Sequence, residues 1–444
     1  MNNLRQKIFL AILLLACFFT RYISSIKGFE LIRNKKEIPG RDVAHYVSIA
    51  KNLMDKKIYA IDEYPTAIRP PAYPYFLWLN FKFFGNESYN IIIYEQIFLT
   101  CLTVMLLFFI GKNFSFECGL FAAFIYVIWY PTWERVSWIS TEVFTTFFVV
   151  LSLFLFLGWN KNKNGLILFL SGVAIGIASL ARGEVVVIPF VILINFLIKR
   201  HFQSLLYFLI GVAILLLPWL TRNYLVYKKL IFSTSTSLLL FCDQGAHRIE
   251  QINSSAMLFG IKNEEIKSFS SPFDIAFTTK EVYYSELFMR EKVRYVLENP
   301  LKGFKVLLKN FLIMWYPMGP PVWAGRYDPF FGLLIFFMFI VLIKYHKISS
   351  YDKTIIGLLN LFWLPLLFSY TIFVGDPIYR LTYEPILCVL GSYGFTDLLR
   401  QKSMKKYIIV VGILVINILL HFVYYGEIRE KCSAFIAKII GLRN

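Results

Sequence analysis

Residues 91–110 read IIIYEQIFLTCLTVMLLFFI, twenty positions whose only charged side chain is Glu95, with Lys112 just past the far end. An α-helix rises about 1.5 Å per residue, so such a run reaches roughly 30 Å, the thickness of a bilayer's hydrocarbon core. Ten more apolar segments accompany it: 8–22, 120–130, 143–159, 166–180, 185–198 and 205–220, then, after a long gap, 330–343, 355–374, 385–399 and 407–425. The pattern predicts an all-α polytopic membrane protein with about eleven transmembrane helices, bounded at ten to thirteen. The range reflects segments shorter than a full span and a pair around Arg182 that can turn back as a hairpin.

Composition agrees with that reading. Apolar residues make up 57% of the 444 positions and charged residues 17%, too few to cover a soluble surface. A disordered chain, a coiled coil, a collagen-like fibre and a disulfide-stapled secreted domain are excluded with it. The net charge of +18 would suit a nucleic-acid binder. In so apolar a chain, however, Lys and Arg orient helices and meet anionic lipid or phosphate, so membrane lipids and no nucleic acid are the expected partners. Cys17, Cys101, Cys118 and Cys388 sit inside apolar runs as small core residues, with no CxxC signature and no metal site. Arg5 and Lys7 precede the first run as in a signal peptide, but no small-residue cleavage site follows before Arg21, so this segment is read as a retained span.

Short loops set the orientation. With the N-terminus in the cytoplasm, fourteen Lys and Arg fall on inner segments, among them Lys112, Lys161, Lys199 and Arg400, against Arg135, Arg182 and Arg380 on short outer turns. This positive-inside bias places two long segments outside, 27–90 and 221–328. In the first, Asp42, Tyr46, Ile49 and Leu53 recur at helical spacing. In the second, Leu301, Phe304, Leu307, Leu308, Phe311 and Leu312 line one side of a helix and Lys302, Lys305 and Lys309 leave it, the pattern of a helix lying on a membrane surface. Residues 428–440 repeat that pattern more faintly in the tail.

The outer side collects the polar residues. Asp42 heads the first loop helix, and Arg69-Pro70-Pro71-Ala72-Tyr73-Pro74 follows in the same loop. The short turns pair arginines with carboxylates: Arg135 with Glu134 and Glu142, Arg182 with Glu184, Arg380 with Asp376 and Glu384. Arg222 closes the run 205–220 on the same side. Arginine offers a planar fork of donors suited to phosphate, and a carboxylate beside such forks can serve as a general base. Each of these residues also has a plainer use: arginines snorkel or form structural ion pairs, Asp42 can cap its helix, and the prolines can stiffen the loop. His45 has no partner at metal-ligand spacing and reads as a surface residue.

Taken in order, these segments resemble GT-C type glycosyltransferases, in the bacterial branch of glycosyltransferase family 39 that includes protein O-mannosyltransferase-like and aminoarabinose-transferase-like enzymes. The residues that carry the resemblance are Asp42-Val43-Ala44-His45-Tyr46 with Ile49, Ala50 and Leu53, Arg69 to Pro74, Ser140 to Phe144, Gly176 to Arg182, Pro218-Trp219 with Arg222-Asn223-Tyr224, and Tyr379-Arg380-Leu381 with Glu384-Pro385. It departs at Val43, where many members carry a second acidic residue.

The resemblance implies a transmembrane catalytic domain over 1–399, with a last span and amphipathic tail over 400–444. Asp42 becomes the catalytic base, with Glu142 its rival, and Arg182, Arg222, Arg380 and Arg69 the phosphate ligands. Tyr46, Tyr73, Tyr379 and Glu384 are placed in the donor or acceptor pocket. The implied reaction moves a sugar from a polyprenyl-phosphate donor, with inversion, to a hydroxyl of a lipid, glycan or protein on the extracytoplasmic face of a bacterial inner or plasma membrane. Phosphate is already a good leaving group, so no cofactor or metal is required. The competing class, a transporter or flippase of lipid-linked sugars, calls for ionisable residues near the middle of spans, where the sequence has almost none.

Overall fold

In the computed structural model, residues 3–34, 42–235, 278–315, 329–373, 377–400 and 412 are described. Ten of the eleven apolar segments fall on helices. They are α1 (Asn3–Arg33), α4 (Tyr89–Gly111), α5 (Phe116–Ile128), α7 (Thr141–Asn162), α8 (Gly165–Ala181), α9 (Val187–Ile198), α10 (Phe202–Tyr227), α13 (Pro329–Ile343), α14 (Ser350–Phe373) and α15 (Glu384–Arg400). The eleventh, 407–425, apart from residue 412, lies outside the described residues, as do the tail, 236–277, 316–328 and Asp376. Five helices, α1, α4, α7, α10 and α14, are long and apolar enough to cross a membrane, and shorter apolar ones pack beside them. The chain is a multi-pass membrane protein.

The remaining elements are α2 (Val43–Asp55), a two-stranded antiparallel hairpin pairing Ala60 with Pro65 and Ile61 with Tyr64, α3 (Ala72–Phe84), the short α6 (Tyr130–Val136), α11 (Glu281–Glu298) and α12 (Pro300–Trp315). The hairpin is unannounced in the sequence, since two residues per strand leave no alternation to read. Helix α2 buries Tyr46, Ile49 and Ala50 as its spacing requires. On α12, Leu301, Phe304, Leu307 and Phe311 are exposed, while Asn310 and Met314 turn inward and Asn310 donates to the Thr371 carbonyl at 3.0 Å.

Helix α1 runs well past Arg21, where the apolar reading stopped. Arg21 is fully buried, and its guanidinium donates to the carbonyls of Tyr126 (2.8 Å) and Val127 and to the Thr132 hydroxyl (2.6 Å). The last carbonyls of a helix have no partner within it. Arg21 supplies one to the end of α5, so this charge within the apolar run clasps two helices.

Helices α8 and α10 cross closely because both carry glycine at the contact. A Cβ on Gly172 would stand 2.5 Å from the Phe208 carbonyl oxygen, a backbone atom that has no room to yield. This crossing fixes where α8 ends, at Arg182, relative to the last turns of α10, which carry Arg222. Gly172→Ala should therefore cost about 1–3 kcal/mol and lower the melting temperature in detergent. Gly357→Ala, on α14 with nothing within 4 Å of the added carbon, should leave it unchanged or slightly raised.

Candidate functional site

The loop 59–69 is pinned before it offers any side chain. Arg222 donates to the carbonyls of Thr66 (2.9 Å) and Tyr59 (2.8 Å), with its guanidinium over the rings of Tyr59 and Trp219. Glu281, at the start of α11, accepts from the Ala67 amide (3.0 Å) and the Thr234 hydroxyl (2.6 Å), and burial raises its carboxyl pKa. The Tyr59 hydroxyl donates to the Arg69 carbonyl at 2.7 Å. The strip Thr66–Arg69 is thus held from α10, from α11 and from its own loop, and it projects Arg69 toward α2.

There Arg69 meets Asp42. Asp42 occupies the N-cap position of α2 with φ 55° and ψ 12°, a left-handed conformation that aspartate tolerates better than most residues. Its side chain makes no capping bond. Instead Oδ1 accepts from Arg69 Nη2 at 2.9 Å, and 43% of the carboxylate-bearing side chain stays exposed. Arg69 also donates from Nε to His45 Nδ1 at 3.4 Å and lies over the Tyr46 ring, 5.3 Å from its centroid. Burial, the largest single influence, disfavours the Arg69 charge, but Asp42 together with Tyr46, Tyr379 and Glu184 outweighs it and raises the guanidinium pKa. His45 is buried, not on the surface as its spacing suggested; burial, with Arg69 beside it, pushes its imidazole pKa down to about 4. No sequence signal marks that role.

The opposite wall comes from the ends of α7 and α8. Glu142, in the first turn of α7, stands 3.6 Å from Arg182 Nη1, and Glu184, in the 3-10 turn Gly183–Val186, stands 3.9 Å from Arg182 Nε. Both separations exceed hydrogen-bond length, so the fork is balanced electrically without having its donors taken up. Arg182 also lies 4.5 Å over the Tyr379 ring. Asp42, Tyr46, Arg69, Glu142, Arg182, Glu184 and Tyr379, with Ser140, Thr141 and Ser235, line one polar cavity of about 80 Å3. Gly183 and Glu184 also border a second, apolar cavity of about 590 Å3 between α9, Phe232 and α14, lined by Val187, Val191, Leu364 and Phe368 among others.

Not every expected residue reaches the polar cavity. Arg222 is spent on backbone carbonyls. Arg380 is buried in an ion pair with Glu384, Nε to Oε1 at 3.1 Å, beneath the Phe331 ring, and Glu384 Oε2 accepts from Trp129 Nε1 at 2.8 Å. Tyr73 stands behind Tyr46, edge to face at 5.2 Å, its hydroxyl donating to Gln96 Oε1 at 3.3 Å. Glu142 pairs with Arg182 across the fold, whereas Arg135 lies 3.9 Å from the Trp138 ring centroid. Among the described residues, no three His, Cys, Asp or Glu side chains form a group that could hold a metal ion.

Residues 68–222 match the family described as dolichyl-phosphate-mannose-protein mannosyltransferase. Asp42 precedes that stretch. Among solved structures, the archaeal oligosaccharyltransferase AglB from Archaeoglobus fulgidus, in complex with an inhibitory peptide and a dolichol-phosphate, superposes with a TM-score of 0.55 at 13% identity, covering 94% of this chain and 54% of its own. The fold is that of the GT-C glycosyltransferases. A second structure of the Archaeoglobus enzyme, tethered to an acceptor peptide, gives a TM-score of 0.54 at 12% identity over 96% of this chain and 55% of its own. ArnT from Cupriavidus metallidurans bound to undecaprenyl phosphate is matched at 13% identity over 98% of this chain and 65% of its own, with a TM-score of 0.48. The chain thus spans about half the length of the oligosaccharyltransferase whose GT-C fold it shares. No curated protein sequence matches it.

Two measurements follow from this geometry. Arg182→Lys keeps the charge but loses the fork, so it should weaken use of an anionic ligand roughly tenfold at nearly unchanged thermal stability. Arg222→Lys should instead lower the melting temperature and spare ligand use; the reverse pattern would move the site to Arg222. The folded-state pKa of His45, about 4, lies below its ordinary value of about 6.5. Stability linked to it is therefore complete above pH 6.5 and lost as pH falls toward 4, on the order of 2 kcal/mol by pH 5. His45→Asn, whose Oδ1 can take the place of Nδ1 as acceptor, should flatten that limb of the melting-temperature profile.

Proposed function

We propose that the protein is a glycosyltransferase that moves a sugar, with inversion, from a polyprenyl-phosphate donor to an acceptor hydroxyl at the extracytoplasmic membrane face. The observation that carries the proposal is the junction at Gly183 and Glu184, where a polar cavity flanked by Arg69 and Arg182 adjoins an apolar cavity between helices. A ligand suited to both at once is an amphiphile with a phosphate head. The family match and the fold support the same reaction class.

In this reading the donor's first isoprenoid units lie between α9 and α14, and Arg182, its Nη1 making no hydrogen bond among the described residues, receives the phosphate with Arg69 opposite. Arg222 and Arg380 support the walls. Asp42 is the base. Its carboxylate is 43% exposed, against 10% for the Glu142 side chain beside Arg182. An acceptor hydroxyl loses its proton to Asp42 as its oxygen attacks the anomeric carbon; the bond from that carbon to the phosphate oxygen breaks, and the arginines stabilise the departing phosphate. Direct displacement inverts the anomeric centre. No metal is needed in this sequence of events. The extracytoplasmic side follows from the positive-inside bias. A flippase has little support, since the buried charges of Arg21 and Arg380 are consumed by carbonyls and by Glu384.

Purified protein given a panel of polyprenyl-phosphate sugars and a membrane fraction should release free polyprenyl phosphate. Base catalysis supplies about 10² to 10⁴ in rate, so Asp42→Asn should lower turnover by that order while donor binding survives. Normal turnover in Asp42→Asn with a dead Glu142→Gln would transfer the base to Glu142. Consumption of no donor, together with accelerated lipid movement between leaflets, would favour the flippase.

A further inference from the structure

The polar cavity holds three carboxylates, Asp42, Glu142 and Glu184, against two guanidiniums, Arg69 and Arg182. Its formal charge is therefore negative before any phosphate arrives, an odd balance for a site that receives an anion. The three carboxylates are not equivalent. Asp42 is hydrogen-bonded to Arg69, and Glu142 sits in the first turn of a 22-residue helix, whose N-terminal dipole favours its charge. Glu184 lacks the first of these compensations. It lies in the 3-10 turn Gly183–Val186 that runs directly into α9, its carboxylate accepts no hydrogen bond among the described residues, and it faces Arg182 at 3.9 Å with its side chain 8% exposed. It also stands where the apolar cavity meets the polar one, the point that a lipid-borne phosphate has to pass.

We propose that Glu184 sets the ligand charge that the pocket accepts, admitting a phosphodiester monoanion and repelling a phosphate dianion. The inference rests on the reading of this cavity as the donor phosphate site. Its consequence lies in the two ends of the reaction. The donor is a phosphodiester with one negative charge. When the anomeric carbon–oxygen bond breaks, the electron pair leaves with phosphate, the acceptor's proton passes to Asp42, and the lipid product is a monoester. With a second pKa near 6, such a monoester carries close to two charges at neutral pH. Once Asp42 has returned its proton to water, product and Glu184 repel each other more strongly than donor and Glu184 did. The same carboxylate disfavours diphosphate-linked lipids as donors. Coulomb energy is linear in ligand charge, and a side chain this buried is only weakly screened by salt.

The test compares two probes with the same short prenyl chain, a prenyl monophosphate and its methyl diester, binding to the full-length protein in detergent at pH 7.5. Glu184→Gln keeps the shape and removes the charge. It should tighten the diester about tenfold and the monophosphate about a hundredfold. Glu184→Asp, with the charge retained, should keep the wild-type ratio between the two, and melting curves verify that both variants are folded. Equal changes for both probes in Glu184→Gln, or weaker binding of both, would overturn the inference and leave Glu184 as a prop for Arg182. Binding of neither probe to the wild-type protein would instead remove the donor-site reading, and this inference with it.

Discussion

A guanidinium taken out of water costs several kcal/mol unless its charge and its donors are matched, and this chain withdraws several of them. How each is matched decides what each can do. Arg21 is held by carbonyls at the end of α5 and the Thr132 hydroxyl, and Arg222 by the carbonyls of Tyr59 and Thr66. Arg380 is locked to Glu384. Arg69 holds Asp42 and His45. Arg182 is balanced by carboxylates lying beyond hydrogen-bond length and by the face of the Tyr379 ring. An arginine satisfied by fixed backbone cannot turn to a ligand without breaking the fold, whereas one held by loose counter-ions can exchange them for phosphate. The sorting of structural from functional arginines thus follows from solvation.

The helices make that sorting possible. The glycine-mediated crossing of α8 and α10 brings the end of α8 beside the loop 59–69 that Arg222 and Glu281 fix. The first turn of α7 then presents Glu142 to the same point. Six chain segments far apart in sequence converge on a cavity of about 80 Å3. Its apolar neighbour needs no polar chemistry, only the gap between α9 and α14.

The architecture was legible because it is written in composition and in long apolar runs, signals that require no knowledge of contacts. That Asp42, Arg69, Glu142, Arg182 and Tyr379 lie together was legible too, since alternate helix ends share a side, and the structure gathers them round one cavity. What the sequence did not disclose was which partner each charge would take. Arg182 and Arg222 look alike as arginines closing an apolar run, yet one faces a cavity and the other faces carbonyls of residues 59 and 66. His45 carries no periodic signal for its contact with Arg69, which depends on a loop 24 residues away.

The central claim is that one amphiphile occupies both cavities, with its phosphate between Arg182 and Arg69. A structure of the full-length protein with a bound polyprenyl-phosphate analogue tests this most directly. The account requires phosphate density within hydrogen-bond distance of the Arg182 fork, and the first isoprene units between Val187 or Val191 and Leu364 or Phe368. A phosphate seated instead on Arg222 or Arg380, or a lipid chain outside the gap between α9 and α14, would contradict it.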